Sequence, residues 1–155
     1  MTSDSFLSLF SFLLQASGVR YEVSLCIQTG MICSVVGPYP CGAWPDINIY
    51  RYWLRHQLNE GEQIEADAGY RGEESIRDPD DCHTWGEWQM KFNVRARHEH
   101  VNQRFKNFVC LRQFRHFTSE EDMSSHKFCF DTITSIVQIN MHLGDRLARV
   151  YYEDY

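Results

Sequence analysis

Two apolar segments on either side of Thr29-Gly30 constrain the fold of this 155-residue chain most strongly. Residues 18–30 read GVRYEVSLCIQTG and residues 31–40 read MICSVVGPYP. Both are rich in β-branched and aromatic residues, which favour strands, and a Thr-Gly pair between two such runs is typical of a turn. The sequence therefore predicts a β-hairpin at residues 18–40.

A helix and a short third strand are predicted after the hairpin. Pro45 and Asp46 are residue types favoured at a helix N-terminus, and residues 47–58, INIYRYWLRHQL, carry apolar residues at helical spacing. Residues 61–67, GEQIEAD, then indicate a strand with Asp67 at its end.

A long helix is predicted at residues 94–116, VRARHEHVNQRFKNFVCLRQFRH, because the segment contains neither Gly nor Pro. Its apolar stripe consists of Val94, Val101, Phe105 and Phe108. A second stripe consists of Arg95, Glu99, Asn102 and Lys106. Residues 71–86 are predicted to form a loop, residues 124–143 a further helix and residues 146–152 a terminal strand.

Length and composition indicate one globular domain, since 43% of the residues are hydrophobic and 14% are aromatic. The six cysteines form no C-x-x-C pair, so we expect reduced thiols and no zinc ribbon. The apolar run at residues 6–14 is too short for a helix that crosses a membrane, which needs about 20 residues. We treat residues 1–15 as an apolar leader and expect no membrane partner.

Charge is strongly segregated although the net charge is −6. Residues 57–89 contain ten acids, whereas residues 90–116 contain seven Lys or Arg residues and a single acid, Glu99. Such a basic stripe suits a phosphate-binding face, because Lys and Arg contacts release condensed counterions from DNA. A solvated helix face is the alternative explanation.

Asp67 and Glu99 are the candidate catalytic pair. An acid at a strand end and an acid on a following helix, separated by 31 residues, could together bind Mg²⁺, which takes oxygen ligands and is usually held by one or two carboxylates. Each acid also has a simpler explanation. Asp67 could accept a hydrogen bond in a turn, and Glu99 could form a surface ion pair on the helix.

Three segments resemble the catalytic domain of Harbinger-type DDE transposases. They are the hairpin with its continuation to Asp46, the ADAGYRG segment at residues 66–72, and ARHEHVNQRFKNF at residues 96–108. The last contains an E-x-x-N-x-x-x-K pattern formed by Glu99, Asn102 and Lys106. The resemblance covers most of residues 18–155.

The resemblance implies a ribonuclease-H-like α/β fold, in which helices flank a mixed sheet. It also implies a D, D, E triad that binds two divalent metal ions, Mg²⁺ or Mn²⁺, for DNA cleavage and strand transfer in the nucleus. By motif, Asp67 corresponds to the second acid and Glu99 to the third. Residues 16–155 would then be a partial catalytic domain that binds DNA, with a second copy or a separate DNA-binding protein as partner.

The first acid of the triad has no match. In the family it lies on a strand before the segment that resembles residues 18–23, and the only acid here before Gly18 is Asp4. We therefore expect the sheet to lack its first strand and the hydrolytic activity to be impaired, as in a truncated copy. The rival interpretation is a domesticated, non-catalytic nuclear module that binds DNA or protein through the basic helix.

Further candidates come from the same segments. Asp46 is a third candidate metal ligand, with helix capping as the alternative. Arg95, Arg104 and Lys106 are the candidate DNA-binding residues. His98 is interpreted as structural or phosphate-contacting. The tryptophans are interpreted as core and loop anchors rather than as platforms for base stacking: Trp44, Trp53, Trp85 and Trp88.

Overall fold

The chain forms a mixed five-stranded sheet. The computed structural model describes residues 7–14, 18–77, 80, 82–113, 119–144, 147 and 150. The strands are β1 Leu7–Leu14, β2 Val19–Cys26, β3 Ile32–Pro40, β4 Ile64–Glu65 and β5 Ile76–Arg77. Their order across the sheet is β3-β2-β1-β4-β5. β1 is antiparallel to β2 and parallel to β4, β2 is antiparallel to β3, and β4 is parallel to β5.

The predicted hairpin is formed by β2 and β3. The amide of Cys26 donates to the carbonyl of Met31 at 2.9 Å, and the amide of Gly30 donates to the carbonyl of Cys26 at 2.8 Å. Gly30 has a φ of 75°, which residues with a β-carbon rarely adopt. The glycine therefore lets the chain reverse where the sequence predicts the turn.

In the part of the chain that the structure describes, four α-helices connect and cover the strands: α1 Asp46–Tyr52, α2 Trp85–Lys106, α3 Cys110–Gln113 and α4 Glu120–Leu143. Two short 3₁₀ helices lie at Leu54–Gln57 and Ala68–Tyr70. Capping boxes fix the starts of both long helices, at Thr84 for α2 and at Ser119 for α4. In each box the side chain of the residue before the helix and the third helical residue satisfy backbone amides that would otherwise lack partners.

The first face of the sheet carries the main core. Alternate residues of β2 pack against α2 and α4, because successive side chains of a strand point to opposite faces. The ring of Tyr21 stacks on that of Phe130 with centroids 3.8 Å apart, and Phe105 stacks on the same ring at 4.8 Å. The buried members of this core are Val19, Tyr21, Val23, Leu25, Val101, Phe105, Leu111, Phe130, Ile133, Val137 and Met141.

The second face of the sheet is covered by α1 and the 3₁₀ segments. Its buried cluster consists of Tyr50, Leu54, Ile64, Ala66, Tyr70 and Ile76. The intervening residues of β2, Arg20 and Glu22, belong to this face by strand alternation. Helices thus flank both faces of a mixed sheet, which confirms the predicted α/β class.

The expectation of a sheet without its first strand is wrong. Leu7–Leu14 forms β1 and lies at the centre of the sheet, between β2 and β4. Residues expected to be an apolar leader therefore pair with their neighbours on both sides. β1 contains no acid, and Asp4 lies outside the described residues.

Other boundaries differ from the predicted ones for local reasons. The helix predicted at 47–58 is interrupted at Trp53, where φ is −120°. α2 begins at Trp85, because the capping box lies before the region with clear helical periodicity. The predicted loop at 71–86 contains β5. The predicted strand at 146–152 falls outside the described residues, apart from Leu147 and Val150.

No helix in the described part of the chain is both long enough and apolar enough to cross a membrane.

Candidate functional site at the end of β4

Asp67 lies just beyond β4 and caps the 3₁₀ turn that follows it. Its Oδ1 accepts a hydrogen bond from the amide of Gly69 at 2.8 Å. This is the turn-acceptor role that the sequence left open as the alternative to a metal ligand. The residue itself is exposed at the end of the strand.

Asp46 approaches Asp67 across Gly69. A β-carbon built on Gly69 would lie 3.0 Å from Asp67 Oδ1 and 3.3 Å from Asp46 Oδ2. The two carboxylates are therefore neighbours, although they come from the start of α1 and the end of β4. A side chain at position 69 would have to enter the space between them, which explains why glycine suits this position.

Asp46 does not cap its helix through its side chain. The residue before the helix, Pro45, makes no side-chain cap, and Asp46 lies in the first turn. Its Oδ1 instead forms an ion pair with Nη1 of Arg20 at 2.7 Å. Arg20 Nη1 also donates to the carbonyl of Trp44 at 2.9 Å. The arginine thus holds the start of α1 against β2 and neutralises one of the two neighbouring acids.

Glu22 is a buried acid beside this pair, and sequence inspection missed it. It is 2% exposed, and its Oε2 has no hydrogen-bond partner among the described residues. Burial raises the pKa of the Glu22 carboxyl to about 8, and the negative charge of Asp46 adds to the rise, whereas the Tyr70 hydroxyl opposes it. Glu22 therefore carries a proton at neutral pH.

Tyr70 links the acids of this site. It is fully buried, and its hydroxyl lies beside the Glu22 carboxyl. Burial raises the pKa of Tyr70 well above its usual value; the carboxylates of Glu22, Asp46 and Asp67 raise it further, while Arg20 lowers it. Asp46, Asp67 and Arg20 therefore lie near this phenol, as does Glu22, which is ionised only above neutral pH.

Two of the acids near the end of β4 are engaged in the structure by a cation or a proton. Carboxylate oxygens are the ligands that Mg²⁺ prefers, but Asp46 is paired with Arg20 and Glu22 holds a proton. Within the described ranges, no group of three or more His, Cys, Asp or Glu side chains is arranged to hold a metal ion. The binding of two metal ions by a D, D, E triad that includes Asp67 stays a prediction.

Glu99 lies on the exposed side of α2. The buried residues of this helix include His98 and Val101, whereas Glu99 and its neighbour His100 are exposed. The pairing of Glu99 with Asp67 at one metal ion stays a prediction. Burial lowers the pKa of His98 to about 3, and the positive charges of Arg97 and Arg95 add to the effect. His98 is therefore a neutral structural residue.

The basic segment is divided between the core and the surface. Lys91 is buried and pairs with Glu65 Oε2 at 3.1 Å. Arg97 is buried and donates to the carbonyl of Ile27. These two cations hold α2 on the sheet, so they are unsuited to contact DNA. Arg95 is exposed, and Lys106 is partly exposed.

The three candidate DNA-binding residues do not share one face of α2. At about 3.6 residues per turn, Lys106 lies three turns after Arg95 and on the same side of the helix. Arg104 lies about two and a half turns after Arg95, on the opposite side. A nucleic acid that contacts Arg95 and Lys106 would therefore not reach Arg104 along the same surface.

Three of the four tryptophans interpreted as core and loop anchors are exposed. Trp53, Trp85 and Trp88 are 43%, 73% and 46% exposed, respectively. Trp44 is partly buried and packs on Tyr39, with ring centroids 4.7 Å apart. Trp85 and Trp88 lie in the part of α2 that precedes the segment with clear apolar periodicity. The sequence therefore did not predict that they are exposed.

No protein-family model matches the chain, and neither a curated protein nor a solved structure shows a significant similarity to it.

Proposed function

We propose that this chain is a DNA-binding domain of ribonuclease-H-like fold, derived from a Harbinger-type DDE transposase, with impaired metal-dependent hydrolysis. One observation carries the proposal. A central strand, β1, runs antiparallel to β2 of the hairpin and parallel to β4, and Asp67 lies two residues after the end of β4. The resemblance implies a mixed sheet flanked by helices, with Asp67 as the second acid of the triad at a strand end.

Two features support the impaired hydrolysis. The central strand contains no acid, although the first acid of the triad lies on a strand before the hairpin in the family that the chain resembles. The acids beside Asp67 include one that is paired with arginine and one that is protonated. In the proposal, intact relatives cleave DNA and transfer strands with Mg²⁺ or Mn²⁺, and this chain retains the binding surface.

DNA binding is assigned to the exposed side of α2. Arg95 and Lys106 share that side, and each cation that contacts a phosphate releases counterions. The function would be exercised in the nucleus, with a second copy or a separate DNA-binding protein supplying sequence recognition. A domesticated, non-catalytic module would use the same surface.

Duplex DNA binding tests the proposal. We expect weak, sequence-independent binding whose logarithm falls linearly with the logarithm of salt concentration, with a slope of about −0.9 for each phosphate contact. Arg95→Glu with Lys106→Glu should weaken the binding and make the slope less negative, by the amount expected for the loss of about two phosphate contacts. Anisotropy of labelled duplex over a salt series measures both effects.

Two controls make the assignment specific. Lys127→Glu changes an exposed lysine on α4, which pairs with Asp131 at 2.6 Å, and should leave the slope unchanged. Arg104→Glu should have less effect than Arg95→Glu, because Arg104 lies on the other side of α2. Equal loss from all of these variants, or no binding by the natural chain at low salt, would contradict the proposed surface.

A further inference from the structure

The first two turns of α2 expose three aromatic side chains that stack on one another. Trp85 and Trp88 have ring centroids 4.8 Å apart and an interplanar angle of 17°. Trp88 and Phe92 have centroids 5.5 Å apart and an angle of 16°. The three rings, which we call the aromatic ladder, are 73%, 46% and 57% exposed.

The aromatic ladder is not a by-product of core packing. The buried residues of the same turns are Met90 and Lys91, and none of the three rings is among them. The capping box at Thr84 and Glu87 fixes the first turn, so the rings are held on a rigid element. A contiguous exposed apolar surface of this kind is uncommon unless it binds something.

The basic residues of the proposed DNA surface lie on the same side of α2 as the aromatic ladder. Arg95 follows Phe92 by three residues, about 4.5 Å along the helix axis, and Lys106 lies about 16 Å beyond Arg95. Glu99 is the acid on this face and disfavours phosphate in its own vicinity. The aromatic ladder, with Arg95 next to it, therefore combines flat exposed rings with a cation that can contact the phosphate backbone of a nucleic acid.

This combination fits unpaired nucleobases. Bases in a duplex are covered on both faces by their neighbours, whereas single-stranded bases can stack on aromatic side chains while cations contact the phosphates. Such stacking is tolerant of sequence, because every base has a flat π face. The positive charge of Arg95 next to the rings favours a polyanion over an apolar protein surface.

We propose that the aromatic ladder is a stacking platform for single-stranded DNA, with Trp85, Trp88 and Phe92 contacting bases and Arg95 contacting the adjoining phosphate. The choice of DNA rests on the proposed function. The platform adds a preference for unpaired strands, such as those exposed when a duplex end is opened.

The test compares three ligands of equal length: oligothymidylate, an abasic strand with the same phosphates, and a duplex. The natural chain should bind oligothymidylate at least about 5-fold more tightly than the abasic strand, given the usual strength of base–aromatic stacking. Trp85→Ala with Trp88→Ala should remove this preference and leave duplex binding unchanged. Trp53→Ala, at an exposed tryptophan outside α2, is the matched control and should bind like the natural chain.

A second measurement needs no variant. Stacking should quench the tryptophan fluorescence of the natural chain with oligothymidylate but not with the abasic strand at equal saturation. Equal affinity for these two strands, or a preference that survives loss of both tryptophans, would overturn the platform. If duplex binding persists in that case, the proposed function stands without the platform; if no DNA binds at all, both fail.

Analytical sedimentation tests whether the aromatic ladder binds a second copy of the chain instead of DNA. We expect the natural chain and the double tryptophan variant to have the same mass in solution. A natural dimer that the double variant converts to a monomer, without any base preference, would overturn the platform and make the aromatic ladder an interface between copies.

Discussion

Glu22 shows how a single residue can make the stability of this fold depend on pH. It lies on a strand whose neighbouring residues Tyr21 and Val23 are fully buried in the core. On the other face it meets Tyr70 and the paired Asp46. Burial is the largest effect on its pKa, so the protonated form is favoured in the folded state.

Glu22→Gln should remove a pH dependence of stability. The folded pKa is about 8 and the unfolded pKa is about 4.3, so the folded state binds more protons between these values. The stability that the protonated group provides is complete below the unfolded pKa and is lost as pH rises through the folded pKa. From about pH 5 to about pH 8, the natural chain should lose up to about 1.4 kcal/mol per pH unit relative to the variant.

Urea unfolding at several pH values measures this difference. Glu99→Gln, at an exposed glutamate, is the control and should follow the natural chain across the range. A constant difference in unfolding free energy between the natural chain and Glu22→Gln from pH 5 to pH 8 would show that Glu22 ionises normally.

At the scale of elements, a buried ion pair fixes α2 on β4. Lys91 and Glu65 are 5% exposed at their side chains, with Nζ and Oε2 3.1 Å apart. Arg77 on β5 adds a longer contact to Glu65 Oε1 at 3.6 Å. The pair connects the strand that precedes Asp67 to the helix that carries Glu99, so it sets how these two elements lie relative to each other.

Lys91→Ala should destabilise the fold far more than Lys127→Ala. Removing Lys91 leaves a buried carboxylate without its closest cation, at a cost of about 3–5 kcal/mol. Lys127 forms an exposed pair with Asp131 one helical turn away, which is worth less than about 1 kcal/mol. Chemical denaturation of both variants checks the prediction, and similar small losses would show that the Glu65–Lys91 pair is not a significant anchor.

The sequence was informative for elements with clear periodicity and for Asp67. The hairpin and α4 follow from apolar patterns, and Asp67 follows from its strand-end motif. The central strand was missed because Leu7–Leu14 is almost continuously apolar, a pattern that suits a leader as well as a strand. Glu22 was missed because one sequence gives no sign that both faces of β2 are covered.

The contacts that define the site join distant segments. Asp46 and Asp67 meet only because Gly69 leaves space between α1 and the end of β4. The division of the basic residues between core and surface likewise depends on where α2 lies on the sheet. By contrast, the sequence alone could have shown that Arg104 lies on a different side of α2 from Arg95 and Lys106, because this conclusion needs only the helical repeat.

At the scale of the whole molecule, we propose a domain that binds DNA through α2 without cutting it. The acids near Asp67 are engaged with Arg20 or hold a proton, and β1 adds no acid to them. A two-metal site must hold both ions together to stabilise the attacking and leaving oxygens. We therefore expect a single preparation of the protein to bind DNA and not to hydrolyse it.

The most direct measurement is nicking of supercoiled plasmid by protein that has been shown to bind DNA, with Mg²⁺ or Mn²⁺ and with Asp67→Ala and Glu99→Ala in parallel. We predict that the natural chain binds the plasmid, that it produces no metal-dependent nicks, and that the two variants do not differ from it. Metal-dependent cleavage by the natural chain that is lost in both variants would contradict the account, because it would show that Asp67 and Glu99 complete a working metal site.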